Sequence, residues 1–172
     1  RTAACAWHAT CIFRVMRIAH VSDTHLGFTE YDIEDPATGF NARELDVYRA
    51  FDEVCRLVIE EKPELFLHTG DLFDRARPPN RAIAVAVRGF LSVAKAGIPA
   101  VIVSGNHELP TAPGNASPLE ILEAAGIAVA RQPALFRFGA IAVHAVPHSR
   151  SEKRLREAVA AARPITGSDF SI

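Results

Sequence analysis

The sequence predicts an α/β domain whose first half is built on a parallel sheet, and two observations predict it. Short apolar runs at 17–21, 65–69 and 100–103 alternate with two long stretches of helical periodicity, the order that yields parallel strands joined by helices. Each run also leads straight into a turn rich in metal-ligand chemistry: Ser22-Asp23-Thr24-His25-Leu26-Gly27, Gly70-Asp71-Leu72-Phe73-Asp74 and Ser104-Gly105-Asn106-His107-Glu108. Parallel sheets keep their ligand sites at the C-terminal ends of the strands. Three consecutive strand ends with such equipment therefore imply one shared site on one rim.

The elements follow in order. Arg17 to Val21 is the first strand, and Phe28 to Phe40 a polar loop containing Pro36 and Gly39. Asn41 is placed to cap a helix over 42–62, whose Leu45, Tyr48, Phe51, Cys55 and Val58 recur every three or four residues and define a packed face ended by Pro63. Leu65 to Thr69 is the second strand. Asn80 is placed to cap a helix over 81–96, with Ile83, Val87, Phe90, Leu91 and Ala94 inward and Gly97 closing it. Ala100 to Val103 is the third strand. Ser117-Pro118-Leu119-Glu120 fits a capping box with proline at the first helical position, for a helix ending at Gly126. A short strand at 127–129, a hairpin of 135–138 and 140–146 about Gly139, and a helix from Ser151 to about residue 162, stopped by Pro164, complete the order, with no closing element after them.

Composition bounds the rest. A chain of 172 residues, 49% hydrophobic and 23% charged, suits one globular domain. A net charge of −1 gives no global basic footprint for nucleic acid, so any such contact is local. No apolar run approaches the ~20 residues of a membrane helix. Three cysteines, Cys5, Cys11 and Cys55, form no metal-type spacing, and the expectation is a reduced, cytoplasmic protein. The single methionine, Met16, stands just before the first strand. Residues 1–15 are therefore expected to be an upstream or non-native lead, and 16–172 a partial catalytic domain; the stretch from Ala3 to Phe13 lacks the basic start and cleavage site of a signal peptide.

Asp23 and His25 stand two apart on a segment read as extended, so both are expected on one side. A carboxylate with an imidazole suits manganese, iron or zinc better than calcium. Asp71 can bridge two ions, and Asn106 offers a neutral oxygen that leaves room for an anionic substrate. Two ions ~3.5–4 Å apart generate hydroxide and clamp phosphate oxygens. His107 is placed to protonate a leaving oxygen or to stabilise transition-state charge. Each residue alone has a plainer reading as a cap or turn residue. It is the joint pattern, with spacings of 48 (71 − 23) and 35 (106 − 71) residues, that argues for a site. By the same weighing His20, His144 and His148 are structural, His68 supports the site or the fold from behind, and Asp74 braces its loop. Arg75, Arg77, Arg81 and Arg88 form a solvated basic face.

These three motifs together resemble the calcineurin-like metallophosphoesterases over Met16 to about Ser149. Ser-Asp-Thr-His-Leu-Gly at 22–27, Gly-Asp-Leu-Phe-Asp with Arg77-Pro78-Pro79 behind it, and the run from Arg43 to Phe51 are similar to the DNA-repair exonuclease branch, the SbcD-type nuclease subunit. Phosphoprotein phosphatases carry Gly-Asp-x-x-Asp-Arg-Gly, whereas Ala76 follows Asp74-Arg75 here. The resemblance implies a β-sandwich flanked by helices, of which the N-terminal half to two-thirds is present. It implies Asp23, His25, Asp71 and Asn106 as metal ligands, His107 as the catalytic histidine, and two divalent ions, manganese by family habit. It also implies DNA as substrate, an SbcC-type coiled-coil ATPase as partner, and a homodimer in the longer protein. Family members take further ligands from later Gly-x-His-x-His turns, which His144 and His148 do not match, so weak or absent activity is expected of these residues alone. Two rivals stand beside this reading: a metallophosphoesterase for a small phosphodiester or phosphoprotein, and a non-catalytic binding fragment.

Overall fold

The computed structural model describes residues 15–172 apart from residues 111, 113 and 169; the expected lead before Met16 lies, but for Val15, outside the described residues. Among the described residues eleven elements run β1 (Ile18–Val21), α1 (Ala42–Glu61), β2 (Leu65–His68), α2 (Asn80–Lys95), β3 (Ala100–Val103), α3 (Leu119–Ala124), β4 (Ala128–Ala130), β5 (Ala134–Phe138), β6 (Ile141–Ala145), α4 (Glu152–Ala161) and β7 (Phe170–Ser171). Strands β1 to β4 form a parallel sheet in chain order, with Val21 opposite His68, His68 opposite Ile102 and Val103 opposite Ala130. All four therefore end on the same rim. Strands β5 and β6 form the expected hairpin, and β7 adds to β6 in parallel, Ile141 opposite Phe170. This last strand corrects the expectation that nothing follows the final helix: two residues carry too little periodicity to be read as a strand without their partner.

The two faces of the parallel sheet are buried differently. On one, Phe66 and Ile102 pack with α1, α2 and α3 through Phe51, Phe90, Val93, Leu119 and Leu122. On the other, Leu65, Leu67 and Val101 meet Ile141, Val143 and Ala145 of the second sheet. The result is a two-sheet sandwich with helices on its outside, as the family resemblance implied. Because β2 is covered on both faces, its four residues are all buried, which is why it reads as a continuous apolar run rather than an alternating one.

Capping decides where the helices begin. Asn41 Oδ1 accepts the amides of Arg43 and Glu44 at 3.0 and 3.1 Å, as expected. The box at Ser117 is also formed: its amide donates to Glu120 Oε1 at 3.2 Å and its hydroxyl accepts the Leu119 amide at 3.3 Å. Asn80 does not cap α2; it is the first helical residue, and Pro79 stands before it without a side-chain bond. On α1, Glu44 is buried rather than Leu45, because its carboxylate accepts the Tyr48 hydroxyl at 2.6 Å.

The inward face of α2 differs from the expected one. Ala82, Val85, Ala86, Gly89, Phe90 and Val93 are buried, while Ala94 is exposed and Ile83, Val87 and Leu91 are half-buried. The helix is apolar nearly all round, so periodicity allowed two faces, and close packing selected the small one. A Cβ on Gly89 would stand 2.6 Å from Phe51 Cε1 and 2.9 Å from Cys55 Sγ. Gly89→Ala is therefore expected to lose about 1–2 kcal/mol of stability by thermal or urea unfolding, despite alanine's ~1 kcal/mol helix preference over glycine. A stabilised variant would show that α1 yields easily.

Candidate metal centre

The site grows out of the β1, β2 and β3 exits. Beyond the strands, the chain at 23–26 stays tied to the chain at 70–72: the amides of Asp23, His25 and Leu26 donate to the carbonyls of Gly70, Asp71 and Leu72 at 2.9, 3.0 and 2.8 Å. Leu26, Leu72 and Phe73, all fully buried, anchor these turns in the helical-side core.

Asp23, His25 and Asp71 have φ of 56°, 45° and 53°. These left-handed values correct the extended reading of the Asp23–His25 segment. The side chains converge because the backbone coils at each ligand position, not because a pleat alternates. A non-glycine residue there costs about 1–2 kcal/mol, and such conformations persist where the surroundings over-determine them, commonly at functional sites.

The convergence is close. One ligand atom from each of Asp23, His25 and Asp71 lies within 4.8 Å of the others, and the same holds for His25, Asp74 and His107. Within the first group Asp23 Oδ1 is 4.0 Å from His25 Nε2; within the second, Asp74 Oδ1 is 3.7 Å from His25 Nδ1. His25 thus belongs to both, and Asp74, assigned from sequence to bracing, faces the same space. It braces too: its amide donates to Leu26 at 3.1 Å and its carboxylate pairs with Arg75 at 3.0 Å.

The β3 turn closes over Asp71. The His107 amide donates to Asp71 Oδ1 at 3.0 Å. A Cβ on Gly105 would stand 2.4 Å from the Asp71 amide nitrogen and 2.1 Å from Oδ1, and one on Gly70, at φ 115°, 3.1 Å from Gly105 Cα. The two glycines let the backbones meet. Asn106 lies exposed between Gly105 and His107, so its backbone stands at the rim beside Asp71. The His107 ring stands edge-on to His25, centroids 4.7 Å apart. Its Nδ1 donates to the Asp74 carbonyl, and that bond holds the imidazole above its ordinary pKa.

Behind the ligands sit two buried polar groups. His68, fully buried, bonds through Nε2 to Thr24 Oγ1 at 3.0 Å, and Thr24 in turn donates to the Leu72 carbonyl at 3.2 Å. Thr24 has one proton and gives it to Leu72, so Nε2–H of His68 is the donor, and Nδ1 has no partner among the described residues. Burial lowers the His68 pKa to about 4. Glu108 was part of the third motif but drew no role from sequence. It is 1% exposed and accepts the amides of Phe73 at 2.9 Å and Gly105 at 2.8 Å, joining the second turn to the third. Burial pushes its carboxyl up, and these amides pull it back.

The remaining histidines lie apart from both groups. His20 bonds Thr69 Oγ1 at 2.7 Å and His144 is half-buried in β6. The backbone of His148 donates to Ser104 at 3.0 Å, which brings the segment after β6 to the edge of the rim. Arg75, Arg77, Arg81 and Arg88 are exposed; Arg81 lies over the Phe40 ring at 3.5 Å and Arg88 is 3.9 Å from Asp52. Among the described residues no helix is long and apolar enough to cross a membrane.

The chain is 38% identical over 108 residues to the DNA double-strand break repair protein Mre11 of Methanocaldococcus jannaschii, covering 63% of this chain and 28% of that protein. It is 32% identical over 152 residues to Mre11 of Sulfurisphaera tokodaii, covering 86% of this chain and 38% of that one. The chain thus spans well under half the length of these relatives. Among solved structures, a dimetal phosphatase from Danio rerio matches 85% of this chain and 51% of its own, at 12% identity and a TM-score of 0.37. The calcineurin-like phosphoesterase family matches residues 16–153, most of the chain and all three turns at the strand ends. With that match, on a two-sheet sandwich whose parallel strand ends gather carboxylates and imidazoles, the chain belongs to the calcineurin-like phosphoesterase family.

Proposed function

We propose that this chain carries part of the catalytic centre of a two-metal phosphodiester hydrolase that cuts DNA, as exonuclease or endonuclease, in double-strand break repair and recombination. The observation that carries it is the convergence of Asp23, His25 and Asp71 within 4.8 Å, with Asp71 bonded to the amide of His107. Carboxylates plus imidazole fit a borderline divalent ion, manganese above all on the family resemblance. Asp23, His25 and Asp71 would hold one ion, and Asp71 and Asn106 would reach a second. When bound, such ions supply an activated hydroxide and neutralise phosphate charge.

The chain's own residues do the rest. His107 is fixed by its Nδ1–H bond to Asp74, so Nε2 is the nitrogen that meets substrate. The raised pKa favours the imidazolium, which can protonate a leaving oxygen or stabilise transition-state charge. Asp71 couples ligand and acid, since the same carboxylate accepts the His107 amide. The names of the archaeal relatives, DNA double-strand break repair proteins, support DNA as the substrate; an SbcC-type ATPase partner and a cytoplasmic homodimer rest on the family resemblance alone.

Calorimetry with manganese chloride tests the centre. The chain is expected to bind the ion and Asp71→Ala to lose it; no binding by the unaltered chain would sink the proposal. A longer protein containing these residues is expected to cleave linear DNA, and its His107→Ala variant not to. Activity confined to bis-para-nitrophenyl phosphate or a phosphopeptide would move the substrate away from DNA. The 172 residues alone are expected to be weakly active or inactive, since they present only the first ligand turns of the family; robust manganese-dependent cleavage by them would contradict this.

A further inference from the structure

A cavity of about 400 Å³ opens beside the metal centre, between the loop after β4, the segment after β6 and the first turns of α4. Arg131, Gln132, His148, Ser149 and Arg154 supply its polar wall, and none of its lining residues is acidic. We propose that this cavity binds a phosphate of the substrate strand, next to the one being cleaved; the assignment to a nucleic-acid strand rests on the function proposed above.

Position is the first argument. Arg131 follows Ala130 at the end of β4, and β4 is the parallel neighbour of β3. The Ser104 amide donates to Ala130 and the His148 amide to Ser104, at 2.9 and 3.0 Å, so the cavity lies one strand along the rim from Asn106 and His107. Adjacent strands are ~4.8 Å apart, and a nucleic-acid strand carries one charge per ~3.4 Å of rise. A strand seated at His107 and running along the rim toward β4 therefore carries a neighbouring phosphate to the side on which the cavity opens.

Chemistry is the second. The guanidinium of Arg154 and the imidazole of His148 have no hydrogen bond or ion pair among the described residues, and both residues line the cavity. Arg131 is held in place by Glu120 and Glu123, each at 2.9 Å, and acts as a wall rather than a ligand. Arginine is over-represented where phosphate is recognised, and most protein–DNA hydrogen bonds go to phosphate and sugar. Charge asymmetry along the rim is the third. The loop after β1, on the opposite flank, carries Glu30, Asp32, Glu34 and Asp35 and neither lysine nor arginine from 28 to 40. Arg75 reaches Thr29 at 3.4 Å and Arg81 lies over Phe40 at the two ends of this loop, so it is the acidic stretch between them that disfavours a polyanion relative to the β4 side.

Fluorescence anisotropy of a labelled 12-nucleotide single strand, in chelator so that the metal centre does not contribute, tests this across 50–200 mM salt. Arg154→Ala is expected to weaken binding about fivefold and to lower the salt slope by about one. Arg156→Ala, on the same helix but paired with Glu152 at 2.7 Å, is the control and is expected to change neither by as much. Equal effects of the two variants, or none from Arg154→Ala, would overturn the subsite and leave the DNA reading standing. Inorganic phosphate, followed by NMR at the His148 and Ser149 amides, separates the two. If phosphate shifts these amides and Arg154→Ala abolishes the shift, while DNA does not bind, the subsite holds and the DNA assignment falls.

Discussion

Glu108→Ala is expected to remove about 4 kcal/mol of stability, a large share of the 5–15 kcal/mol typical of a domain. The carboxylate is buried and accepts two amides from different turns, Phe73 after β2 and Gly105 after β3. Alanine leaves both donors buried and unpaired, at about 1–3 kcal/mol each, and adds a cavity. Glu108→Gln separates these contributions. One amide oxygen can satisfy one donor, but the NH₂ group then faces the other, so an intermediate loss of about 2 kcal/mol is expected. Urea unfolding of the two variants beside the unaltered chain gives the order directly. Because Gly105 lies against Asp71, the alanine variant is also expected to loosen manganese binding. A loss below 1 kcal/mol for Glu108→Ala would mean that water or a rearranged turn replaces the carboxylate.

The sequence carried most of the scaffold because its signals are local. Alternating apolar runs and helical periods located β1 to β6 and α1 to α4 to within a few residues, and the Asn41 and Ser117 caps formed where their side chains can only act at a helix start. What it missed depends on partners distant in sequence. The buried face of α2 is set by Phe51 and Cys55 of α1, which exclude a Cβ at Gly89. The strand β7 exists only because β6 offers an edge to it. At the site, motif spacing named Asp23, His25 and Asp71, which the fold brings within 4.8 Å of one another, yet for the wrong reason: left-handed turns rather than an extended pleat aim Asp23 and His25. Aspartate and histidine adopt positive φ more readily than most non-glycine residues, but nothing in the sequence marks which of them does so, so that device was not legible. Glu108 was visible as a letter but not as a support, since its role needs the Phe73 amide 35 positions away.

Acidification is expected to expose His68. Burial holds its pKa at about 4, against 6.5 for an unperturbed histidine, and the nearby carboxylates of Asp23 and Asp71 offset only part of that. The folded state thus keeps the ring neutral while the unfolded state takes up a proton below pH 6.5. Its contribution to stability is complete above that pH, falls as the pH drops from 6.5 to about 4, and levels off below. A difference of about 2.5 pH units corresponds to about 3 kcal/mol. Other carboxylates titrate in the same window, so the measurement is a difference: urea unfolding from pH 7.5 to 4, in chelator, for the unaltered chain and His68→Gln. Glutamine can still donate to Thr24 Oγ1 but does not titrate. The unaltered chain is expected to lose about 3 kcal/mol more across the window than the variant does. Parallel curves would mean that His68 is hydrated or charged in the folded state, and the bond that orients Thr24 between Asp23 and His25 would need another donor.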